Sequence, residues 1–395
     1  MRTKCVRAAW SFALCLSVAL TACDDENNEN DGPVVPPPVD ESIDLTASEA
    51  YANCFIVTEA DEYRFATRKV DGSDVEGIVS VDWLWSTKNA AGNPLVSEVS
   101  YKDGIVHFTS DGTEGNTVLA AFDAKGEVIW SWHLWMTDQP ELFAYDEGGE
   151  LMDRNLGATS ALEADGAASF GLLYQWGRKD PFVGAKELGK DAPIGGASET
   201  AAFGTQTAAY EKNTIDQTAY AFDVIGNDDN TITDCVAYAV QHPTTFIKYV
   251  VSVGNSGVST WFNSDLSNFS DLWGAVSGRK SVYDPCPAGY KVPVDSAEAW
   301  GGFAKADVTS SAGSFGVTLN EAFYPCSGWR DVSGMLKQVG TYAKAASATA
   351  PTNQANILQI MYYKATAAAT TYTTMFSNSG KSFIAGGIPV RCVKE

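Results

Sequence analysis

The chain has 395 residues, 45% of them hydrophobic and 19% charged, enough apolar material for more than one buried core and too much for disorder throughout. Lys and Arg number 27 against 49 Asp and Glu, a net charge of -22, so a nucleic-acid partner is not expected: the electrostatic attraction to phosphate is missing. Eleven Trp and an aromatic share of 11% favour strands and loops over a plain helical bundle.

Arg2, Lys4 and Arg7 precede an apolar run over residues 8–20, too short for a permanent bilayer span, and then Leu20-Thr21-Ala22-Cys23. Small residues before a Cys resemble the bacterial lipoprotein signal, which is cut before a diacylated Cys. Residues 1–22 are therefore expected to be a signal peptide and Cys23 the lipidation site. Acyl chains contribute roughly 0.8 kcal/mol per buried CH2, so such an anchor is stable and the membrane is an expected partner. Residues 23–44 are acidic and Pro-rich, with Asp24, Asp25 and Glu26 first and Pro33 and Pro36 to Pro38 following, and read as a disordered, semi-rigid tether. The acidic start resembles the export tag of outer-surface lipoproteins in the Bacteroidota, which implies a lipid-anchored outer-membrane protein at the cell surface.

Over residues 45–140 the sequence breaks into short alternating runs at 54–56, 63–66, 78–85, 96–101, 105–109, 118–122 and 128–136. Asp71-Gly72, Lys102-Asp103-Gly104 and Asp111-Gly112 separate them with turn chemistry. Seven strands at this spacing predict an immunoglobulin-like β-sandwich. The last run is apolar on both faces, so it is expected to pack one face in the sandwich core and the other against the following domain. Trp130, Trp132 and Trp135 read as core rather than as a sugar-stacking platform, and His133 as a satisfied structural histidine.

From 145 to 395 the chain is rich in Gly, Ser, Thr and Ala, punctuated by four distinctive segments. These are 151–157 with Asn155-Leu156, 171–182 with Tyr174-Gln175-Trp176-Gly177, 283–293 with Cys286-Pro287-Ala288-Gly289-Tyr290-Lys291-Val292-Pro293, and Val390-Arg391-Cys392-Val393. Their order and wording resemble the Fibrobacter succinogenes major paralogous domain, with Tyr290 where that family usually has Trp. The preceding sandwich is similar to the module that accompanies this domain in fimbrillin-like lipoproteins. The resemblance implies a loop-rich C-type-lectin-like domain, related to the sulfatase-modifying fold, and with it an α+β class for the whole. The residues agree locally: Asp295 before Ser296 predicts a short capped helix, and an apolar strand is expected over 357–363 inside a long Ala/Thr-rich loop from 343 to 374. Asp153, Arg154, Arg178, Asp180 and Arg391 lie inside otherwise apolar motifs and read as buried ion pairs holding loops.

Beyond Cys23 lie Cys54, Cys235, Cys286, Cys326 and Cys392, in a setting where disulfides persist. Cys286 and Cys392 stand in the family-like motifs and are expected to pair, tying the chain end to the middle of the domain; Cys235 with Cys326 is a weaker second pairing. The acidic loop at 227–234 offers Asp228, Asp229 and Asp234 as oxygen ligands, so calcium is the one cofactor suggested, although the spacing is not that of an EF-hand. Three His and no nucleophile-elbow glycines argue against an enzyme. Trp261 and Trp329, in polar or Gly-containing loops, are the candidate ligand-binding residues. The expectation is a non-enzymatic surface lipoprotein whose lectin-like domain binds a glycan or protein, as an adhesin or fimbria-associated subunit. The rivals are a carboxylate- or Cys-dependent glycan-active or protein-modifying enzyme, and a purely structural assembly subunit.

Overall fold

Alternating apolar residues separated by turns make strands throughout the first hundred described residues. The computed structural model describes residues 40–145, 149–185, 200–201, 210, 223–225, 234–248, 260–262, 271–311, 314–350, 354–364 and 372–395. The signal segment 1–22, Cys23 and the tether as far as 39 lie outside the described residues, as do Asp228 and Asp229. The first eight strands are β1 (Ile43–Asp44), β2 (Cys54–Val57), β3 (Ala60–Ala66), β4 (Ser80–Ser86), β5 (Val96–Lys102), β6 (Ile105–Asp111), β7 (Gly115–Phe122) and β8 (Val128–Met136). They form two four-stranded sheets, ordered β1-β3-β6-β5 and β2-β8-β7-β4. Phe65, Val106 and Phe108 of the first sheet meet Phe55, Leu119, Trp132 and Leu134 of the second in one apolar cluster, which makes the pair a sandwich. The turn into β7 needs its glycine: Gly112 has φ +75°, and a Cβ there would lie 2.9 Å from the backbone nitrogen of Ala60.

Strand β8 divides its residues between two cores, as period-two alternation requires of a strand covered on both faces. Trp130, Trp132, Leu134 and Met136 belong to the sandwich cluster. Trp135 packs instead with Tyr174, Trp176, Cys286 and Cys392, and its indole nitrogen donates to the Ala158 carbonyl at 2.9 Å. Cys54 and Trp85 also join this second cluster. Residues 41–395 accordingly form one compact unit, with cores continuous across the sequence boundary near 140.

The later part contains β9 (Leu142–Tyr145), β10 (Gly149–Met152), β11 (Leu173–Gln175), β12 (Thr200–Ala201), β13 (Asp223–Ile225), α1 (Cys235–Gln241), β14 (Thr245–Ile247), β15 (Tyr290–Lys291) and α2 (Ser296–Ala299). Then follow β16 (Val308–Thr309), β17 (Gly316–Leu319), β18 (Ala322–Pro325), β19 (Trp329–Arg330), β20 (Leu336–Lys337), β21 (Tyr342–Ala346), β22 (Gln354–Lys364), β23 (Tyr372–Phe383), β24 (Gly387–Pro389) and β25 (Val393–Lys394). The α-helices among the described residues are the seven-residue α1 and the four-residue α2, so the fold is β-rich. Helix α2 starts at the expected place, with Asp295 accepting from the Ala297 N–H at 2.8 Å.

The Ala-rich passage is not all loop. β21, β22 and β23 form a three-stranded antiparallel sheet in which Ala343 pairs with Ile360 and Ala345 with Leu358. Alanine is a weak strand former, but Ala343 and Ala345 are buried in the cluster that holds Trp300 and Tyr324, so the strand is held by packing. Tyr342 and Lys344 therefore point to the opposite face.

Candidate functional site

The four family-like segments fold into a shared framework. Asp284, fully buried, accepts from the N–H groups of Cys286 (2.8 Å) and Val292 (2.9 Å) and pairs with Lys280 (2.9 Å). Asn53 of the sandwich donates to the Val282 and Asp284 carbonyls, so the same loop is tied to the first sheets. Gln175 donates to the Ile247 and Ala385 carbonyls, and Trp176 to that of Ala348. Cys286 and Cys392 are joined by a disulfide, the expected pairing, which closes the chain end onto this loop. Cys235 and Cys326 lie in separate apolar clusters, so the second expected bridge does not form.

The charged residues of these motifs are buried and held in two ways, with Arg178 Nε and Arg391 Nη1 left without a hydrogen-bond partner among the described residues. Arg154 pairs with Asp153 (2.8 Å) and Asp138, and Lys179 with Asp180 (2.7 Å). Arg178 donates to Gln175 Oε1 and the Thr245 carbonyl, both at 2.8 Å, and Arg391 lies over the Tyr324 ring and donates to the Phe323 carbonyl. Carbonyls and aromatic faces thus do for the last two what ion pairs were expected to do.

Strand pairing of β2 with β8 places Cys54 beside His133, a contact invisible in the sequence. Cys54 Sγ lies 3.4 Å from His133 Nδ1, and His133 Nε2 lies 2.9 Å from Asn116 Oδ1. The order Cys–His–Asn is that of a thiol hydrolase centre, but its chemistry is disabled. Cys54 is 0% and His133 2% exposed. Burial pushes the thiol far above its ordinary range and holds the imidazole down to about 3, so both groups stay neutral where a thiolate and imidazolium are needed. The triad is packing, and His133 is the structural histidine the sequence predicts.

A larger cleft of about 620 Å³ opens between Asp138, Asp153, Glu141, Glu163 and Glu321. Arg154 holds the Asp138 carboxyl below the usual range, opposite to what a general acid requires. Among the described residues no group of three or more acids, His or Cys is arranged to hold a metal ion. Asp234, from the suggested calcium loop, caps α1 by accepting from the Ala237 N–H at 3.0 Å.

The two candidate tryptophans separate. Trp261 is 1% exposed, and its indole nitrogen donates to the Trp176 carbonyl at 2.8 Å. It belongs to the core, because its polar-looking loop is drawn inward by that hydrogen bond, and it offers no exposed ring face. Trp329 is only partly buried and lines a cleft of about 180 Å³ on the outer face of the β21–β23 sheet. Gly328 sets it there: at φ +72°, a Cβ would come within 2.4 Å of the Lys337 carbonyl oxygen. Trp329 is not an open stacking platform, because the Lys344 amine sits 3.6 Å from its ring centroid. Tyr342, at 5.5 Å, is the second ring near that amine.

Lys344 is 5% exposed, and its amine has no hydrogen-bond or ion-pair partner among the described residues. Burial pulls it down to about 7. Two further polar groups of the cleft wall, Trp329 Nε1 and Ser382 Oγ, are buried without a partner. Gln338, Gln354 and Gln359 complete the polar lining. Sequence reasoning selected Trp329 and missed Lys344 and Ser382. The missed signal was the alternation Tyr342-Ala343-Lys344-Ala345, which puts ring and amine on one face of a strand. Comparison of the chain with family models, curated proteins and solved structures returns no match.

Proposed function

We propose that this chain is a lipid-anchored surface protein that binds a glycan or protein ligand through the cleft on the β21–β23 sheet, with an immunoglobulin-like sandwich preceding a C-type-lectin-like recognition domain. The observation that carries this reading is the gathering in one cleft of a buried amine, Lys344, held against the Trp329 ring, with two buried polar groups, Trp329 Nε1 and Ser382 Oγ, that have no partner among the described residues. The Cys23 signal and the motif wording supply the surface location and the lectin-like class. A non-enzymatic role agrees with the sealed state of the Cys54–His133 pair.

The test is binding of the purified full-length protein to glycan and matrix-protein arrays. Q359A should lose at least tenfold in affinity with an unchanged urea midpoint and W329A at least as much while still unfolding cooperatively, whereas E321Q, in the acidic cleft, should bind as the unmodified protein does. Absence of binding, or binding indifferent to both cleft substitutions, refutes the reading.

A further inference from the structure

We infer that the ligand of this cleft is an anionic saccharide, with a carboxylate or sulfate ester placed against Nζ of Lys344; the inference rests on the binding reading above. The first support is charge. The chain carries 49 acids against 27 basic residues, yet the cleft is lined by Lys344 and Lys381 and by no carboxylate among the described residues. In a protein of net charge -22 a small acid-free basic pocket is where an anion is repelled least.

The second support is the kind of group left unpartnered. Trp329 Nε1 can only donate and Ser382 Oγ can donate as well as accept, and beside them the buried Lys344 amine, when protonated, can only donate. Anionic oxygens, which accept several such bonds at once, complement that set. The amides of Gln338 and Gln359 both donate and accept, as recognition of sugar hydroxyls requires. The volume of about 180 Å³ falls below the roughly 300–1,000 Å³ of pockets that enclose a whole small molecule, so the cleft suits one terminal sugar unit rather than a chain.

The third support is energetic. A buried ammonium held over aromatic rings is destabilised by desolvation, and an arriving anion offsets that penalty. Binding should therefore take up a proton on Lys344 above pH 7. The other ionisable groups of the described lining are Tyr342 on β21 and Lys381 on β23, and β22 contributes Gln354 and Gln359 to it.

The experiment presents neutral glycans beside their uronic-acid, sialylated and sulfated counterparts to the full-length protein at pH 6 and pH 8. Acidic members should bind at least tenfold more tightly than their neutral counterparts, with affinity dropping about tenfold per unit as the pH rises above 7. Preference for carboxylated or for sulfated members alone supports the inference and names the group. K344M should lose the preference and the pH dependence while keeping residual binding to the sugar. K381M separates a general basic effect from that of Lys344, because it should keep most of both. Equal binding of neutral and acidic members, or a K344M protein that still discriminates, overturns the inference and leaves the binding reading standing. No binding to any glycan, with binding to a matrix protein, overturns the inference alone; no binding to either overturns both.

Discussion

Lys344 is the residue whose replacement tests the structure most sharply, because its removal should stabilise the protein. Burial takes its amine from an ordinary value of 10.5 to about 7. At about 1.4 kcal/mol per unit, carrying the proton into the folded state costs about 5 kcal/mol well below pH 7. The sign follows from proton counts: between pH 7 and 10.5 the unfolded chain holds this proton and the folded chain does not, so stability rises with pH across that window. K344M keeps the volume and has nothing to ionise. Urea unfolding at pH 7 should show K344M more stable than the unmodified protein by about 4 kcal/mol, with the advantage shrinking towards zero by pH 10. A K344M protein that is less stable at pH 7, or an advantage that does not change with pH, would show that the amine has a counter-charge or is solvated, and would refute the reasoning.

Other features give equally direct tests. Because His133 is held at about 3 in the folded state, below its ordinary 6.5, the unmodified protein should lose about 1.4 kcal/mol of stability per unit as the pH falls from 6.5 to 4, and H133Q should lack that slope in the same urea titration. Cys54 should resist maleimide in the native protein and react in urea, as mass spectrometry can follow. Opening the Cys286–Cys392 bridge by C286S with C392S frees a closure spanning 106 positions and should lower stability by about 3–5 kcal/mol. G328A forces a Cβ against the Lys337 carbonyl at positive φ and should cost about 2 kcal/mol while shifting Trp329 fluorescence; a silent substitution would contradict the placement of that turn.

The parts legible in the sequence were those governed by local pattern. The runs from 54 to 136 became strands because period-two alternation and Gly turns act within a few residues, and the tryptophans of β8 divided between two cores for the same reason. What stayed hidden depends on distant strands meeting. The β2–β8 pairing brings Cys54 to His133, residues 79 apart, and nothing near either residue announces it. The loop around Trp261 read as surface because its neighbours are polar, while the Trp176 carbonyl that draws it inward is 85 residues away. Trp329 was found through the Gly328 turn beside it. Lys344 was missed because an Ala-rich stretch has low strand propensity, and only the core beneath it makes it a strand.

The double commitment of β8 bears on how such a protein can be assembled from parts. Its even-numbered side chains complete the sandwich, and Trp135, with Ser131 and His133 beside it, is fitted to Ala158, Lys179 and Tyr174 beyond. Grafting another recognition region onto this sandwich would strand those three odd positions against an unmatched surface, leaving a buried indole donor and a serine without partners. The boundary near residue 140 can therefore be a joint in the sequence without being a place where the protein can be recombined, and exchange would have to carry β8 along with whatever it serves.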